Sequence, residues 1–158
     1  MFPVAVSLTS LLAPYQPTTM IILIADDDAD DRMFLEQAMR QNGYSQGIQF
    51  VNDGEELMDY LYRKGEFNSQ NAPWPSMLIL DLNMPRKNGF QALLEIKENP
   101  KLRRLPVIVM TTSSAEEDVL KTYNLGVNSF VTKPFNYNRL VEIVGTLKAY
   151  WMDMAKLP

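Results

Sequence analysis

Short apolar runs alternate five times along this chain with stretches in which apolar residues recur every three or four positions. A short apolar run is typical of a strand buried on both faces, and spacing of three and four is typical of an amphipathic helix. The alternation predicts an α/β fold with a five-stranded parallel sheet, five helices and the doubly wound strand order 2-1-3-4-5. The predicted strands are Ile21–Ala25, Ile48–Val51, Met77–Leu80, Val107–Met110 and Ser129–Val131.

The third predicted strand is followed directly by Asp81, and Pro85 and Gly89 then interrupt the backbone before the next helix. Ligands of open α/β sheets bind outside the carboxyl ends of the strands, where this carboxylate lies. A lone aspartate at a strand end usually only closes the strand. A functional interpretation therefore depends on which other side chains reach the same edge.

The first predicted strand ends in the acidic pair Asp26 and Asp27, and the 2-1-3-4-5 order brings this pair beside Asp81. Three neighbouring carboxylates repel one another unless a cation neutralises them. Their oxygen ligands suit Mg²⁺. The later acids Asp28, Asp30 and Asp31 are interpreted instead as the start of a helix, where the helix dipole favours negative charge.

The fourth and fifth predicted strands add a hydroxyl and an amine to the same edge. Thr111 follows the fourth strand, and Lys133 follows the fifth. Each residue also has an ordinary interpretation: Thr111 as a strand-end or capping threonine, and Lys133 as a solvated surface lysine. Beside three carboxylates and a phosphoryl group, however, the ammonium would supply a needed positive charge. A cis Lys133–Pro134 bond would aim the lysine into this cluster.

Composition excludes several classes of function. The chain has 158 residues, no cysteine and no histidine, which excludes disulfides, thiolate or imidazole metal sites and a histidine-based catalytic triad. If phosphate chemistry occurs here, the phosphohistidine must belong to a partner. The net charge of -4 gives no indication of nucleic-acid binding. No run of residues reaches the roughly 20 apolar positions of a membrane span.

We divide the chain into three segments. Residues 1–19 carry no charge and contain three prolines, so they are expected to form a flexible tail, and Met20 is a candidate translation start. Residues 20–152 are expected to form the folded domain, and residues 153–158 a short extension. Ser113 with Glu116, and Asp53 with Glu56, have the spacing of helix capping boxes.

Together these residues resemble the receiver domain of two-component response regulators, a flavodoxin-like fold. The resemblance rests on Asp26-Asp27, Asp81, Thr111 and Lys133-Pro134, each at the end of its own strand, and it spans residues 20 to about 150. It implies that Asp81 accepts a phosphoryl group from a histidine kinase. The implied Mg²⁺ ligands are Asp26, Asp27, Asp81 and the backbone carbonyl of Asn83. Lys133 would bind the phosphoryl oxygens, and Thr111 and the aromatic Phe130 would act as the switch.

Residues 53–65 and 150–158 resemble the small single-domain regulators that partner bacterial phytochrome histidine kinases. This resemblance implies a cytoplasmic signalling protein in a phosphorelay, with no output domain. It also implies a homodimer through the fourth helix, fifth strand and fifth helix. Excess apolar residues late in the chain favour the dimer, although the same residues could instead fold back onto their own domain; they are Tyr150, Trp151, Met152, Met154 and Leu157.

Two other classes of protein share part of this pattern. A Mg²⁺-dependent phosphohydrolase with an aspartyl nucleophile typically has a second acid two residues later, where this chain has Asn83. A pseudo-receiver usually lacks the acidic pair, the acceptor or the lysine, and all of these are present. We therefore expect a phosphoacceptor that catalyses only its own phosphotransfer and dephosphorylation, rather than an enzyme acting on other substrates.

Overall fold

The computed structural model describes residues 20–158, and the expected tail of residues 1–19 lies outside them. Five strands alternate with five helices, and a short π-helical turn extends the last helix. The strands are β1 (Ile22–Ala25), β2 (Ile48–Val51), β3 (Met77–Leu80), β4 (Val107–Thr111) and β5 (Ser129–Thr132). The helices are α1 (Ala29–Gln41), α2 (Gly54–Tyr62), α3 (Gly89–Glu98), α4 (Glu116–Asn124) and α5 (Tyr137–Leu147), followed by the π-helical turn Lys148–Met152.

All five strands lie parallel in the order β2-β1-β3-β4-β5. The predicted strand order is therefore confirmed. In the registers of the three central strands, Ala25 lies opposite Leu80 and Leu80 opposite Val109. The residues that follow β1 and β3 consequently leave the sheet side by side, at the point where the strand order reverses.

Successive strand residues face opposite sides of the sheet and contribute to two separate hydrophobic clusters. On one side, Leu23 and Leu78 pack in a cluster with side chains of α2 and α3. On the other side, Ile24 and Ile79 pack with side chains of α1 and α5. Each fully buried aliphatic side chain contributes about 1.5–3 kcal/mol. Coverage of both faces therefore explains why the three central strands, β1, β3 and β4, are apolar except for Thr111.

Four of the five helices begin with a side chain that accepts a hydrogen bond from the third helical N–H group. These capping residues are Asp28, Asp53, Asn88 and Asn136. The remaining helix, α4, does not follow the capping prediction for Ser113. It begins at Glu116 after Ala115, which makes no side-chain cap, and the Ser113 hydroxyl donates to Asp118 at 2.5 Å. The prediction was wrong because the helix starts two residues later than the spacing suggested.

The apolar end of the chain is divided between core and solvent. Trp151 and Met152 pack against the cluster beneath α1 and α5, whereas Tyr150 and Met154 are exposed. Part of the late apolar sequence therefore covers its own domain. Within residues 20–158, none of the helices could span a membrane.

Candidate functional site

Backbone hydrogen bonds hold the ends of neighbouring strands in fixed relation at one edge of the sheet. The Asp81 N–H donates to the carbonyl of Ala25 at 3.0 Å, and the Lys133 N–H donates to the carbonyl of Thr111 at 2.7 Å. The residues that end β1, β3, β4 and β5 are thus positioned by the sheet itself. The side chains that the sequence predicted to converge start from this rigid edge.

Lys133 lies at the centre of the site. Its Nζ atom is 2.7 Å from Asp26 Oδ2, 2.8 Å from Asp81 Oδ2 and 2.7 Å from Asp31 Oδ2. The side chains of Lys133, Asp26 and Asp81 are 13%, 6% and 8% exposed, so these ion pairs are largely shielded from water. No peptide bond within residues 20–158 is cis. The Lys133–Pro134 bond is therefore trans, and the cis form considered from the sequence does not occur.

The electrostatics of the site are dominated by burial and by this lysine. Burial raises the pKa of Asp26, although hydrogen bonds from Lys133 and from the Asp28 N–H oppose the rise. Burial works to lower the pKa of Lys133, but hydrogen bonds to Asp26, Asp31 and Asp81 outweigh it, and the pKa of Lys133 is raised. The ammonium is therefore held charged beside carboxylates that are costly to bury without it.

The acidic pair and Asp81 form a group with the character of a metal site. One carboxylate oxygen from each of Asp26, Asp27 and Asp81 lies within 4.8 Å of the others. Asp26 and Asp81 are buried and Asp27 is exposed, so the group opens to solvent on one side. An all-oxygen donor set of this kind fits a hard divalent cation that keeps some of its waters. Asn83 is exposed beside it, and its N–H donates to Asp81 Oδ1 at 3.2 Å.

Thr111 and Phe130 occupy the neighbouring strands β4 and β5. Thr111 is fully buried, and within the part of the chain that the structure describes its Oγ1 atom has no hydrogen-bond partner. Leaving a buried hydroxyl unpaired costs about 1–3 kcal/mol, so this position is not explained by stability. Phe130 is half-buried and packs against the cluster beneath α2 and α3.

The prediction for Asp31 is corrected by the structure. Asp28 caps α1 and Asp30 is exposed in its first turn, as expected for a helix start, but Asp31 reaches across to Lys133. Because α1 begins only four residues after β1 ends, its first turn stands over the strand ends. That short connection is the sequence signal that could have identified Asp31. Arg32 was also missed, and its Nη1 atom donates to the Asp26 carbonyl at 2.7 Å.

Two close backbone approaches fix the loop between β3 and α3. The Gly89 N–H donates to the Leu82 carbonyl at 2.9 Å, and the Gly54 N–H donates to the Lys87 carbonyl at 3.0 Å. A Cβ atom at Gly89 would overlap the Asp81 carbonyl, and one at Gly54 would overlap the Lys87 carbonyl. Glycine is therefore required at both positions to hold the backbone that carries Asp81.

A pocket of about 240 Å³ opens beside Lys133, between α1 and the loop that leads into α5. Its lining is mostly apolar, with Asp26, Asp31 and Lys133 at one end. Phe135, in its wall, is completely exposed. The pocket therefore places an accessible apolar surface next to the charged site. Its other lining residues include Phe34, Leu35, Tyr137 and Leu140.

The chain is similar to known proteins over most of its length. The family description "Response regulator receiver domain" matches residues 22–145. Response regulator Rcp1 of Synechocystis sp. is 37% identical over 142 residues, which cover 90% of this chain and 95% of that protein.

Two solved structures share this similarity. The crystal structure of the Mn²⁺-bound form of Rcp1 has a TM-score of 0.80 at 35% identity and covers 88% of this chain and 99% of its own. The crystal structure of the phosphorylated cyanobacterial phytochrome response regulator RcpA has a TM-score of 0.83 at 36% identity, covering 89% and 99%.

Proposed function

The chain belongs to the response regulator receiver domain family, and on that premise we propose that Asp81 accepts a phosphoryl group from the phosphohistidine of a partner histidine kinase. The observation that carries this assignment is the geometry of Asp81, a buried carboxylate that contacts Lys133 and lies within 4.8 Å of the acidic pair. A nucleophile, a counter-charge and a set of metal ligands thus meet at one edge of the sheet.

In the proposed reaction, a carboxylate oxygen of Asp81 attacks phosphorus and forms a P–O bond. The P–N bond to the kinase histidine breaks, and its electron pair stays with the imidazole nitrogen. Lys133 neutralises charge on the phosphoryl oxygens. Mg²⁺, held by Asp26, Asp27, Asp81 and the backbone carbonyl of Asn83, would reduce the repulsion between the carboxylates and the incoming anion.

We propose that the signal is carried by Thr111 and Phe130. The Thr111 hydroxyl is buried without a partner among residues 20–158, so it is available to bond a phosphoryl oxygen. Phe130 lies on the adjacent strand, in register with Val109, and is only half-buried. A shift of Thr111 towards the phosphoryl group would leave space for Phe130 and bias the face formed by α4, β5 and α5 between two states.

The proposed partner is a phytochrome-type histidine kinase in the cytoplasm, where the ATP that charges such kinases is found. This proposal is supported by the similarity to Rcp1 and to RcpA, which is described as a phytochrome response regulator. The apolar pocket beside Lys133 offers a surface for the helix that presents the phosphohistidine. No nucleic-acid or membrane partner is proposed.

The assignment of Asp81 is tested by labelling with acetyl phosphate and Mg²⁺. We expect one adduct that is stable in acid and labile in base, and Asp81→Asn should abolish it. Asp59→Asn, at an exposed aspartate of α2, should leave it unchanged. Labelling that persists in the Asp81→Asn variant would assign the acceptor to another residue.

The metal proposal is tested separately. Asp27 is the exposed member of the acidic group, so Asp27→Ala should preserve the fold while weakening Mg²⁺ binding and slowing phosphotransfer. Removal of divalent ions with EDTA should stop labelling of the wild-type protein, and Mg²⁺ should restore it. Phosphotransfer that continues at full rate in EDTA would mean that the acidic group has another role.

We also propose a homodimer through the face formed by α4, β5 and α5. Leu120 and Tyr123 of α4 are 58% and 48% exposed, and exposed apolar groups on one helix are typical of an interface. Sedimentation at micromolar concentration should detect a dimer that Leu120→Lys dissociates. Leu94→Lys, at an exposed leucine of α3, should leave it intact. A monomeric wild-type protein would rule the dimer out.

A further inference from the structure

Asp31 gives Lys133 a third carboxylate partner that stands outside the group suited to a metal. Its Oδ2 atom is 2.7 Å from Lys133 Nζ, as close as Asp26 and closer than Asp81. Within the part of the chain that the structure describes, the metal-type group consists of Asp26, Asp27 and Asp81. Asp31 comes from the first turn of α1, whereas the other two partners of the lysine come from strand ends.

The number of hydrogen-bond donors on the lysine makes this contact consequential. An ammonium has three N–H donors, and Lys133 has three carboxylate partners. A phosphoryl oxygen can therefore bond Lys133 only if one of these carboxylates gives way. The side chain of Asp31 is 39% exposed, against 6% for Asp26 and 8% for Asp81, so Asp31 is the partner that water can most readily solvate once it is released.

We infer that Asp31 is a positioning residue that competes with the phosphoryl group for Lys133, and so restrains the acceptance of phosphate at Asp81. This inference rests on the proposed function of Asp81. In the unphosphorylated state, Asp31 holds the ammonium at the strand ends. When a phosphoryl oxygen arrives, the Asp31 carboxylate leaves the lysine and turns to solvent. The lysine N–H that had donated a hydrogen bond to Asp31 then donates it to the phosphoryl oxygen.

Beryllium trifluoride with Mg²⁺ is a suitable probe because it occupies the phosphoryl position without a covalent donor. Its apparent dissociation constant can be measured by fluorine NMR. Asp31→Ala should bind it more tightly than Asp30→Ala by about two- to fivefold, the range expected for a partly exposed ion pair. Asp30 lies exposed in the same helical turn, so this comparison cancels the change in net charge and the loss of a helix-dipole interaction.

A second pair of variants tests whether the effect passes through the lysine. In a Lys133→Met background, the difference between Asp31→Ala and Asp30→Ala should disappear, because no ammonium remains to be contested. A purely structural role of Asp31 would preserve the difference in that background and overturn the inference. Asp31→Ser, whose hydroxyl is too short to replace the carboxylate, should reproduce the effect of alanine.

The outcomes separate the inference from the proposed function. If the wild-type protein binds beryllium trifluoride but Asp31→Ala matches Asp30→Ala or binds more weakly, competition by Asp31 is ruled out and the role of Asp81 stands. If the wild-type protein neither binds the probe nor is labelled by acetyl phosphate, the proposed function itself fails. Melting curves of all variants establish that they are folded.

Discussion

Two threonines of this protein are equally buried but differ in their hydrogen bonding. Thr111 and Thr122 are both fully buried. The Oγ1 atom of Thr122 donates to the carbonyls of Asp118 or Val119, each at 2.9 Å, whereas Oγ1 of Thr111 has no partner among the described residues. The pair therefore separates the cost of burying a hydroxyl from the benefit of bonding it.

We predict that Thr111→Val leaves the free energy of unfolding unchanged or raises it by up to about 1 kcal/mol, because valine removes an unpaired hydroxyl without changing the volume greatly. The same substitution should weaken the conformational response to beryllium trifluoride. Urea denaturation and amide NMR shifts of α4 and β5 measure the two effects.

Thr122→Val is the matched control for this prediction. It removes a hydroxyl that is bonded within α4, so the free energy of unfolding should fall by about 1 kcal/mol while the response to the probe is preserved. If Thr111→Val destabilised the protein as much as Thr122→Val does, the Thr111 hydroxyl would have a stabilising partner in the resting state.

Single residues show where sequence analysis reaches its limit. Strand ends could be located from the apolar runs, so the positions of Asp26, Asp81 and Lys133 followed from the strand order. The contact of Asp31 with Lys133 depends on the direction in which α1 leaves the sheet. Whether the Thr111 hydroxyl is paired depends on every neighbouring side chain. Neither property has a periodic signal along the chain.

At the scale of an element, the start of α3 determines where the carboxylate of Asp81, the proposed phosphoryl acceptor, lies. Gly89 is the first residue of the helix, and a side chain there would overlap the Asp81 carbonyl. We predict that Gly89→Ala lowers the free energy of unfolding by about 1–3 kcal/mol. Because the backbone of Asp81 must shift, phosphorylation by acetyl phosphate should slow by on the order of 10- to 100-fold.

Gly43→Ala is the control that separates a loss of stability from a displacement of the Asp81 backbone. Gly43 has a positive φ of 83° and no atom within 4 Å of an added Cβ. Alanine there should cost about 1–2 kcal/mol through its left-handed conformation but leave the phosphorylation rate unchanged. Equal slowing of both variants would mean that loss of stability, and not displacement of Asp81, limits the reaction.

An ion pair beside the same loop gives the protein a predictable response to acid. Lys87 donates a hydrogen bond to Glu95, and so does Tyr62 at 3.1 Å. The hydrogen bond from Lys87 lowers the pKa of Glu95, with burial opposing it. Because folding lowers this pKa, the charged carboxylate stabilises the folded state at neutral pH, and this contribution is lost as the pH falls through the lowered pKa.

We therefore predict that Glu95→Gln reduces the free energy of unfolding at pH 7 by about 0.5–1 kcal/mol, a small value because both partners are partly exposed and screened by water. The difference from the wild type should shrink as the pH falls below about 4. Glu98→Gln, at an exposed glutamate of the same helix, should change the free energy of unfolding at pH 7 by much less. Urea denaturation at several pH values between 3 and 7 measures both the loss of stability at pH 7 and its dependence on pH.

Helix existence was predictable from the sequence, but helix starts were less so. Apolar spacing located all five helices. At α2, Asp53 accepts from the Glu56 N–H as predicted, but the Glu56 side chain bonds the N–H of Asn52 and not that of Asp53. At α4, the spacing of Ser113 and Glu116 was misleading. Capping depends on local backbone angles that residue identity only restricts.

At the scale of the whole molecule, one asparagine joins the two helices that cover the same face of the sheet. The Nδ2 atom of Asn42 donates to the Ala38 carbonyl at the end of α1 and to the Val141 carbonyl of α5, at 2.8 and 3.0 Å. Gly145 of α5 faces this amide, and a Cβ atom there would lie 2.8 Å from Asn42 Oδ1. The absence of a side chain at Gly145 thus makes room for the connection.

We predict that Asn42→Ala lowers the free energy of unfolding by about 1–2 kcal/mol and the melting temperature by about 2–8 °C, because the Val141 carbonyl loses its side-chain donor. Asn124→Ala, at an exposed asparagine that ends α4, should shift the melting temperature by much less. Equal shifts would mean that the connection between α1 and α5 contributes nothing measurable.

The architecture of the whole chain was the most predictable level. Five apolar runs separated by helical spacing leave few arrangements of a parallel sheet, and the order 2-1-3-4-5 followed. The end of the chain was less predictable, because Trp151 and Met152 are apolar enough either to dock on their own domain or to meet another chain. They pack on the cluster beneath α1 and α5, while Tyr150 and Met154 remain exposed.

The position of Lys133 directly after the last strand has a consequence for the synthesis of the protein on the ribosome. Lys133 is separated from Asp81, Asp31 and Asp26 by 52, 102 and 107 residues, so its ion pairs close three long loops. In a chain that grows from its N-terminus, Lys133 is synthesised about 3–10 s after Asp81. During that interval the nascent chain carries the proposed acceptor without its counter-charge. On the proposed function, only a chain that has docked its final strand can then exchange phosphate with a kinase.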